Sequence, residues 1–233
     1  MNYIADNIAA IRQQIMTEAE RTQRNPAEII LLAVSKTKPI SAICEAYQAG
    51  QRCFGENYVQ EGVSKIIELA ANPDYSGIEW HFIGPLQSNK TKPVAEHFDW
   101  VHGIDRDKIA HRLNDQRPAS LPALNVCIQV NISGESTKSG IPASEVLALA
   151  EKISVYPHLT LRGLMTIAEN TDNIDSVRNN FLQMQELFAQ LKARYATVDT
   201  LSMGMTHDMA LAIDCGSTMV RIGTAIFGSR EYK

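Results

Sequence analysis

Cysteine is sparse in this sequence. Cys44, Cys53, Cys127 and Cys215 stand far apart with no CxxC pair among them, which removes zinc ribbons and dithiol redox sites and points to buried free thiols in a reducing compartment. An excess of charge of either sign is missing too. The net charge is -4 and the isoelectric point near 5.9, so no basic surface invites nucleic acid or anionic lipid. The six histidines form no HExxH, no serine sits in a GxSxG elbow, and no GxGxxG follows the first apolar run, which argues against zincin, serine-hydrolase and Rossmann chemistry. No apolar stretch is long enough to cross a bilayer, and the opening MNYIADNIAAIRQQ carries Asp6 and Arg12 on an amphipathic pattern unlike a secretory leader. A cytoplasmic protein without nucleic-acid or membrane partners is expected, and a monomer.

What the sequence has in quantity is alternation. Its 233 residues, 45% hydrophobic and 21% charged, suit one large globular domain. The run IILLAV, closed by Ser35 and Lys36, is too short for a helix and rich in branched side chains, so it reads as a strand buried on both faces. An amphipathic helix over 3–22 precedes it, with Ile4, Ile8, Ile11, Ile15 and Ala19 at helical spacing. Strands are expected at 53–57, 79–84, 100–104, 124–132, 159–167, 201–205 and 219–228. Helices fill the gaps, at 39–50, 59–71, near 94, 105–114 with Asp105 as N-cap, 142–155, 174–195 and 206–215. Eight strands alternating with helices, each connection long enough for a parallel crossover, give an α/β fold. The expectation is a single (β/α)8 TIM-type barrel over residues 1–233 with an extra N-terminal helix, an open doubly wound sheet being the alternative.

In a barrel every strand ends on the same face, so Lys36, Asn57, Gly84, Asn131, Met165, Ser202 and Arg221 would surround one mouth. An amine at the end of a buried strand, near the second cation Lys38, is a nucleophile toward carbonyls when its pKa is lowered, although a solvated loop lysine is the commoner case. The loops after strands seven and eight read SMGMT and RIGT. Ser202 and Thr224 offer hydroxyls, Gly204 and Gly223 allow close backbone approach, and the helix expected from Thr206 points its positive end into the same region, the makings of a phosphate cradle. Arg221 alternates with Val220 and Ile222 and should point into the barrel, either toward the ring nitrogen of an aromatic cofactor or into an ion pair with a carboxylate such as Glu56. Amine, arginine and cradle together describe pyridoxal 5'-phosphate better than any other common ligand. The segment NISGESTKSG lacks the glycines of a P-loop, leaving Lys138 as a mobile cation over the mouth or, the commoner case, a solvated loop lysine, and His81 reads as a satisfied core residue.

The motifs LLAVSKTKP, FGENYVQE, WHFIGPLQSNK, NISGESTKSG, GLMTI, SMGM and GSTMVRIGTAIFG, spread over essentially the whole chain, resemble those of the pyridoxal phosphate homeostasis proteins, the YggS/PROSC family. The resemblance implies a barrel like the N-terminal domain of alanine racemase, with pyridoxal 5'-phosphate held as a Schiff base on Lys36. It further implies that Arg221 faces the pyridine nitrogen and that Ser202, Gly223 and Thr224 hold the phosphate, while Asn57, Gly84 and Met165 line the ring pocket. Two positions depart from the pattern: Thr206 stands where serine is usual, and His207 where an acidic or small residue is common. Racemases and decarboxylases similar to this barrel carry a second, β-rich domain, whereas this chain ends at Lys233, a few residues past its last strand. The expected role is therefore a carrier or regulator in vitamin B6 homeostasis with apo-enzymes as recipients, and no catalytic residue is assigned. A small racemase using Lys36 as its one base is the alternative, and a cofactor-free Schiff-base aldolase a third.

Overall fold

The structure, a computed structural model, describes residues 3–229. Strands β1 (Ile30–Val34), β2 (Cys53–Glu56), β3 (Glu79–Phe82), β4 (Trp100–Ile104), β5 (Leu124–Gln129), β6 (Leu159–Met165), β7 (Thr200–Ser202) and β8 (Met219–Ile222) close in sequence order into a parallel barrel. The ring is shut by β1 lying beside β8, with Leu32 opposite Arg221 and Ala33 opposite Ile222. Helix α1 (Tyr3–Arg21) precedes the barrel; α2 (Ile40–Gln48), α3 (Val59–Ala70), α4 (Thr91–His97), α5 (Asp107–Gln116), α6 (Val146–Ser154), α7 (Ile174–Arg194), α8 (Met209–Asp214) and α9 (Thr224–Phe227) follow successive strands.

Two layers of side chains result, because alternate strand residues face opposite ways. Outward residues such as Phe54, Phe82, Val101, Val126, Leu164, Val220 and Ile222 pack against the helices in one continuous apolar layer. The isoleucine stripe of α1 joins the same layer through Ile4, Ile8, Ile11, Ile15 and Ala19. Inward residues form two small apolar groups, Leu32, Ile83 and Met219, and Trp100, Cys127 and Met165. The polar side chains His81, His102, Ser202 and Arg221 share the lumen with them.

Several boundaries differ from expectation, each for a local reason. The last strand stops at Ile222 rather than running to residue 228, since the Gly223 oxygen accepts from Phe227 N–H at 2.9 Å and winds the chain into α9. The helix expected from Thr206 begins only at Met209, because Met205 N–H turns to the Asp208 carboxylate at 2.6 Å. Asp105 caps nothing: Arg106 occupies the N-cap of α5, and the Asp105 carboxylate accepts from its guanidinium at 2.8 Å. Strand β1 is less enclosed at its start than its composition suggests, with Ile30 41% exposed while Leu32 and Ala33 are fully covered. All four cysteines are free thiols, Cys127 and Cys215 buried, Cys44 and Cys53 half-buried. No helix among the described residues is long and apolar enough to cross a membrane.

Candidate functional site at the carboxyl end of the barrel

Lys36 lies in the turn that follows β1, half-buried. Its neighbour Thr37 has φ +63°, a left-handed conformation that costs a β-branched residue and persists only where surroundings enforce it. The enforcement comes from α3. Thr37 N–H donates to Glu61 Oε1 at 2.6 Å, and the Lys65 ammonium donates to the Ser35 carbonyl, Glu56 Oε1 and Glu61 Oε1 at 2.8, 2.7 and 2.7 Å. Ser35 Oγ donates to the same Glu56 oxygen at 2.8 Å. Burial pushes the Glu56 carboxyl above its usual range while Lys65 pulls against it. Glu56 is thus committed to Lys65, and the expected alternative of a Glu56–Arg221 ion pair is not what forms. Lys38 is also turned elsewhere than expected: its ammonium donates to the Ser229 carbonyl at 2.9 Å, and it lines a cavity of about 1080 Å³ with residues of α1, α2 and α3.

At the ends of β2, β3 and β4 the backbones come together. A Cβ on Gly84 would lie 2.2 Å from the Asn57 carbonyl oxygen, and one on Gly103 2.9 Å from the Gly84 oxygen, so only glycine lets these strand ends close. Asn57 Oδ1 is buried there without a hydrogen-bond partner, an acceptor a polar ligand would satisfy. Asn57, Ile83, Pro85, Gln129 and Lys138 line a cavity of about 230 Å³ over this part of the mouth. Lys138 is fixed rather than loose, paired with Glu135 at 2.6 Å and donating to the Ala168 carbonyl. Asn131 is drawn into its own loop, its amide donating to the Glu135 carbonyl at 2.7 Å. Met165 belongs to the lumen, 1% exposed beside Trp100 and Cys127.

The two glycine loops flank β8. Gly204 has φ +101°, a Cβ on it would meet Ala212 Cβ at 2.6 Å, and its carbonyl accepts from Arg221 N–H at 2.9 Å. Gly223 lies against the end of β1, where a Cβ would come 3.3 Å from the Val34 carbonyl, and Thr224 is exposed at the start of α9. The Gly223 loop thus stands beside the end of β1, from which the chain turns to Lys36, and the Gly204 loop lies on the far side of β8.

Arg221 points into the lumen, 5% exposed. Its Nη1 donates to Ser202 Oγ at 2.7 Å and its Nη2 to the Thr166 carbonyl at 2.9 Å. Burial pushes the guanidinium down to about 10, which leaves it charged at neutral pH. Ser202, expected to offer its hydroxyl to a phosphate, is fully buried and spends it inside the barrel, between Arg221 and His102 Nδ1 at 3.0 Å. His102 Nε2 meets His81 Nδ1 at 2.9 Å, and His81 Nε2 meets Glu79 Oε1 at 2.8 Å. His81 is indeed a satisfied core residue, stacked on Trp100 with ring centroids 5.0 Å apart. Cys53 joins Glu79 and His81, their ligating atoms lying within 4.8 Å of one another, a convergence no sequence spacing announces. Burial raises the Cys53 thiol to about 12, and Glu79 and His81 satisfy one another.

Lys36, Asn57, Gly84, Gly204, Arg221, Gly223 and Thr224 all belong to the carboxyl-end rim or the layer below it; Ser202 and Met165 lie deeper. Glu61, Lys65, Thr166, His102 and Glu79 escaped the sequence reading. The Glu61–Lys65 spacing of four on a helix was a usable signal. The other three contacts depend on register between strands.

Residues 6–231 match the alanine racemase N-terminal domain family. The pyridoxal phosphate homeostasis protein of Haemophilus influenzae is 60% identical over 231 residues, covering 98% of this chain and 97% of its own. Among solved structures, PipY of Synechococcus elongatus with PLP bound superposes with a TM-score of 0.82 at 36% identity, over 97% of this chain and 100% of that one. Alanine racemase of Corynebacterium glutamicum, 16% identical with a TM-score of 0.74, shares the fold over 97% of this chain and 61% of its own. The curated relatives carry the name of a homeostasis protein, not of an enzyme.

Proposed function

Since this chain belongs to the pyridoxal phosphate homeostasis protein family, built on the alanine racemase N-terminal domain, we propose that it binds pyridoxal 5'-phosphate as a Schiff base on Lys36. Its role is to carry or regulate that cofactor in vitamin B6 homeostasis, as one cytoplasmic, monomeric barrel domain delivering to apo-enzymes. The observation that carries this reading is the meeting, at one barrel mouth, of three things: an amine on an enforced turn, a buried arginine, and two glycine loops.

The cofactor brings an aldehyde that condenses with a primary amine, releasing one water, and a ring that withdraws electrons. The chain's own residues do the rest. The Lys65–Glu56–Glu61 cluster holds the Lys36 turn in place. Arg221 would hold the ring nitrogen by donating to it and, staying protonated itself, would leave that nitrogen without a proton, so that the bound ring would withdraw electrons weakly and holding would be favoured over turnover. Gly204 and Gly223 let backbone N–H groups approach a phosphate, with the exposed Thr224 hydroxyl beside them. The Ser202 hydroxyl accepts from Arg221 and steadies it. Asn57 and Gly84 would line the ring pocket from the β2–β3 side, Asn57 Oδ1 offering an unused acceptor, and Met165 would line it from the lumen.

The test is loading and transfer. Protein incubated with pyridoxal 5'-phosphate should turn yellow, restore activity when mixed with an apo-enzyme that needs the cofactor, and exchange no α-proton of any common amino acid into deuterated water. Sustained exchange that depends on Lys36 would contradict the carrier reading, and a colourless protein would contradict the cofactor itself.

A further inference from the structure

Five side chains join Arg221 at the top of the lumen to Glu79 at the opposite end of the strands, Arg221, Ser202, His102, His81 and Glu79, with successive separations of 2.7, 3.0, 2.9 and 2.8 Å. The first four are 5% exposed or less, while the Glu79 side chain is 45% exposed. Arginine can only donate. Ser202 Oγ, having accepted from Arg221, donates its own O–H to His102 Nδ1. A neutral ring that accepts at Nδ1 carries its proton on Nε2, so His102 donates to His81 Nδ1, and His81 in turn donates from Nε2 to the Glu79 carboxylate. A donor-only cation at one end and an acceptor-only anion at the other thus leave a single consistent direction. The reversed chain needs a protonated Glu79 or an imidazolium at His81, and leaves the Ser202 proton with no acceptor in the chain.

We propose that His81 and His102 are positioning residues for Arg221: held as neutral Nε2–H tautomers, they form a one-way hydrogen-bond chain that fixes the guanidinium beneath the barrel mouth. Two of the five Arg221 donors are spent on Ser202 and Thr166, which stops the guanidinium rotating and leaves its other N–H groups for a ligand. The effect on a ligand rests on the reading that Arg221 meets the ring nitrogen of pyridoxal 5'-phosphate. The direction of the chain does not.

Neighbouring charges agree with this state. His81 is faced by Glu79, Asp99 and Arg162, His102 by His81 and Arg221, and Arg221 by Asp208 and Cys127. Burial pushes both imidazoles below their ordinary value, the lowering of His102 being the greater, and the hydrogen bond from His81 holds Glu79 below the usual carboxylate range.

The experiment has two arms on the full chain. In the first, histidine-labelled protein is examined by long-range 15N–1H correlation at neutral pH, with and without pyridoxal 5'-phosphate. Both rings should appear as Nε2–H tautomers in each sample; an Nδ1–H tautomer or an imidazolium at either position overturns the chain. In the second, His102→Leu should weaken pyridoxal 5'-phosphate binding about tenfold and shift the absorption maximum of the bound cofactor. His102→Gln, which can accept from Ser202 and donate to His81, should return both readouts to within about twofold of wild type. Should His102→Leu fail to fold, His81→Phe keeps the ring on Trp100, breaks the same chain and should give the same shift. A folded chain-breaking variant with wild-type affinity and spectrum overturns the positioning role. If wild-type protein itself takes up no pyridoxal 5'-phosphate, the cofactor reading falls and with it the effect on the ligand, while the tautomers still decide the direction of the chain.

Discussion

Outside the strand ring the packed side chains are Phe54, Phe82, Phe98, Phe181 and a continuous field of isoleucine, leucine and valine; inside it, Glu79, His81, His102, Ser202 and Arg221 share the space with two small apolar groups. The outer layer is held by area removed from water and tolerates exchange of one hydrophobe for another of similar volume. The lumen is held by directed bonds, where removal of one partner leaves another buried and unsatisfied. The barrel therefore divides its labour: the outer layer closes the ring, and the lumen aims polar groups at the mouth.

The division is broken most sharply at Lys36. Lys36→Ala should abolish the borohydride-fixed cofactor adduct while leaving the melting temperature within a few degrees of wild type. Phe181→Ala, in the outer layer and fully covered, should cost about 3–5 kcal/mol in urea unfolding yet leave the adduct yield per folded molecule unchanged. Lys65→Met sharpens the border between the layers. It strips the buried Glu56 of its cation, should cost about 3 kcal/mol, and should also lower adduct yield, because the Lys36 turn loses its tether.

A smaller effect comes with pH. His81 and His102 have folded-state values below the ordinary 6.5 because burial disfavours their charged forms. Between those lowered values and about 6.5 the unfolded chain binds more protons, so stability falls as pH drops. The slope approaches about 1.4 kcal/mol per pH unit for each ring and ends below the folded-state values. Thermal unfolding from pH 7.5 to 5.5 should show this fall, and a folded His81→Phe protein should show a shallower one; equal slopes would contradict the assignment.

The outer layer was the legible part. Its helices and strands follow from periods of 3.6 and 2, and α7 packs Val177, Phe181, Met184, Leu187 and Leu191 as the spacing demands. Lys36 after an apolar strand, Arg221 inside one and the glycine loops after strands seven and eight stand out in the sequence as well, and the structure sets them at or near the carboxyl ends of the strands. The lumen network was not. His81 and His102 are 21 residues apart and His102 and Ser202 100, and only the register of closed strands makes them neighbours. Ser202 shows what register adds: a hydroxyl in a glycine loop reads as a phosphate donor, and its bonds to Arg221 and His102 are invisible until the strands close. The end of β8 was misjudged for a related reason, since TAIF after Gly223 has strand-like composition and becomes helix through the Gly223 carbonyl.

The central claim is an amine at the barrel mouth that captures an aldehyde, and one measurement meets it head-on. Protein loaded with pyridoxal 5'-phosphate is reduced with borohydride, digested and mapped by mass spectrometry. The account predicts a single dominant phosphopyridoxyl peptide bearing Lys36, absent from Lys36→Ala; label scattered over exposed lysines, with Lys36 no more modified than the rest, would contradict it.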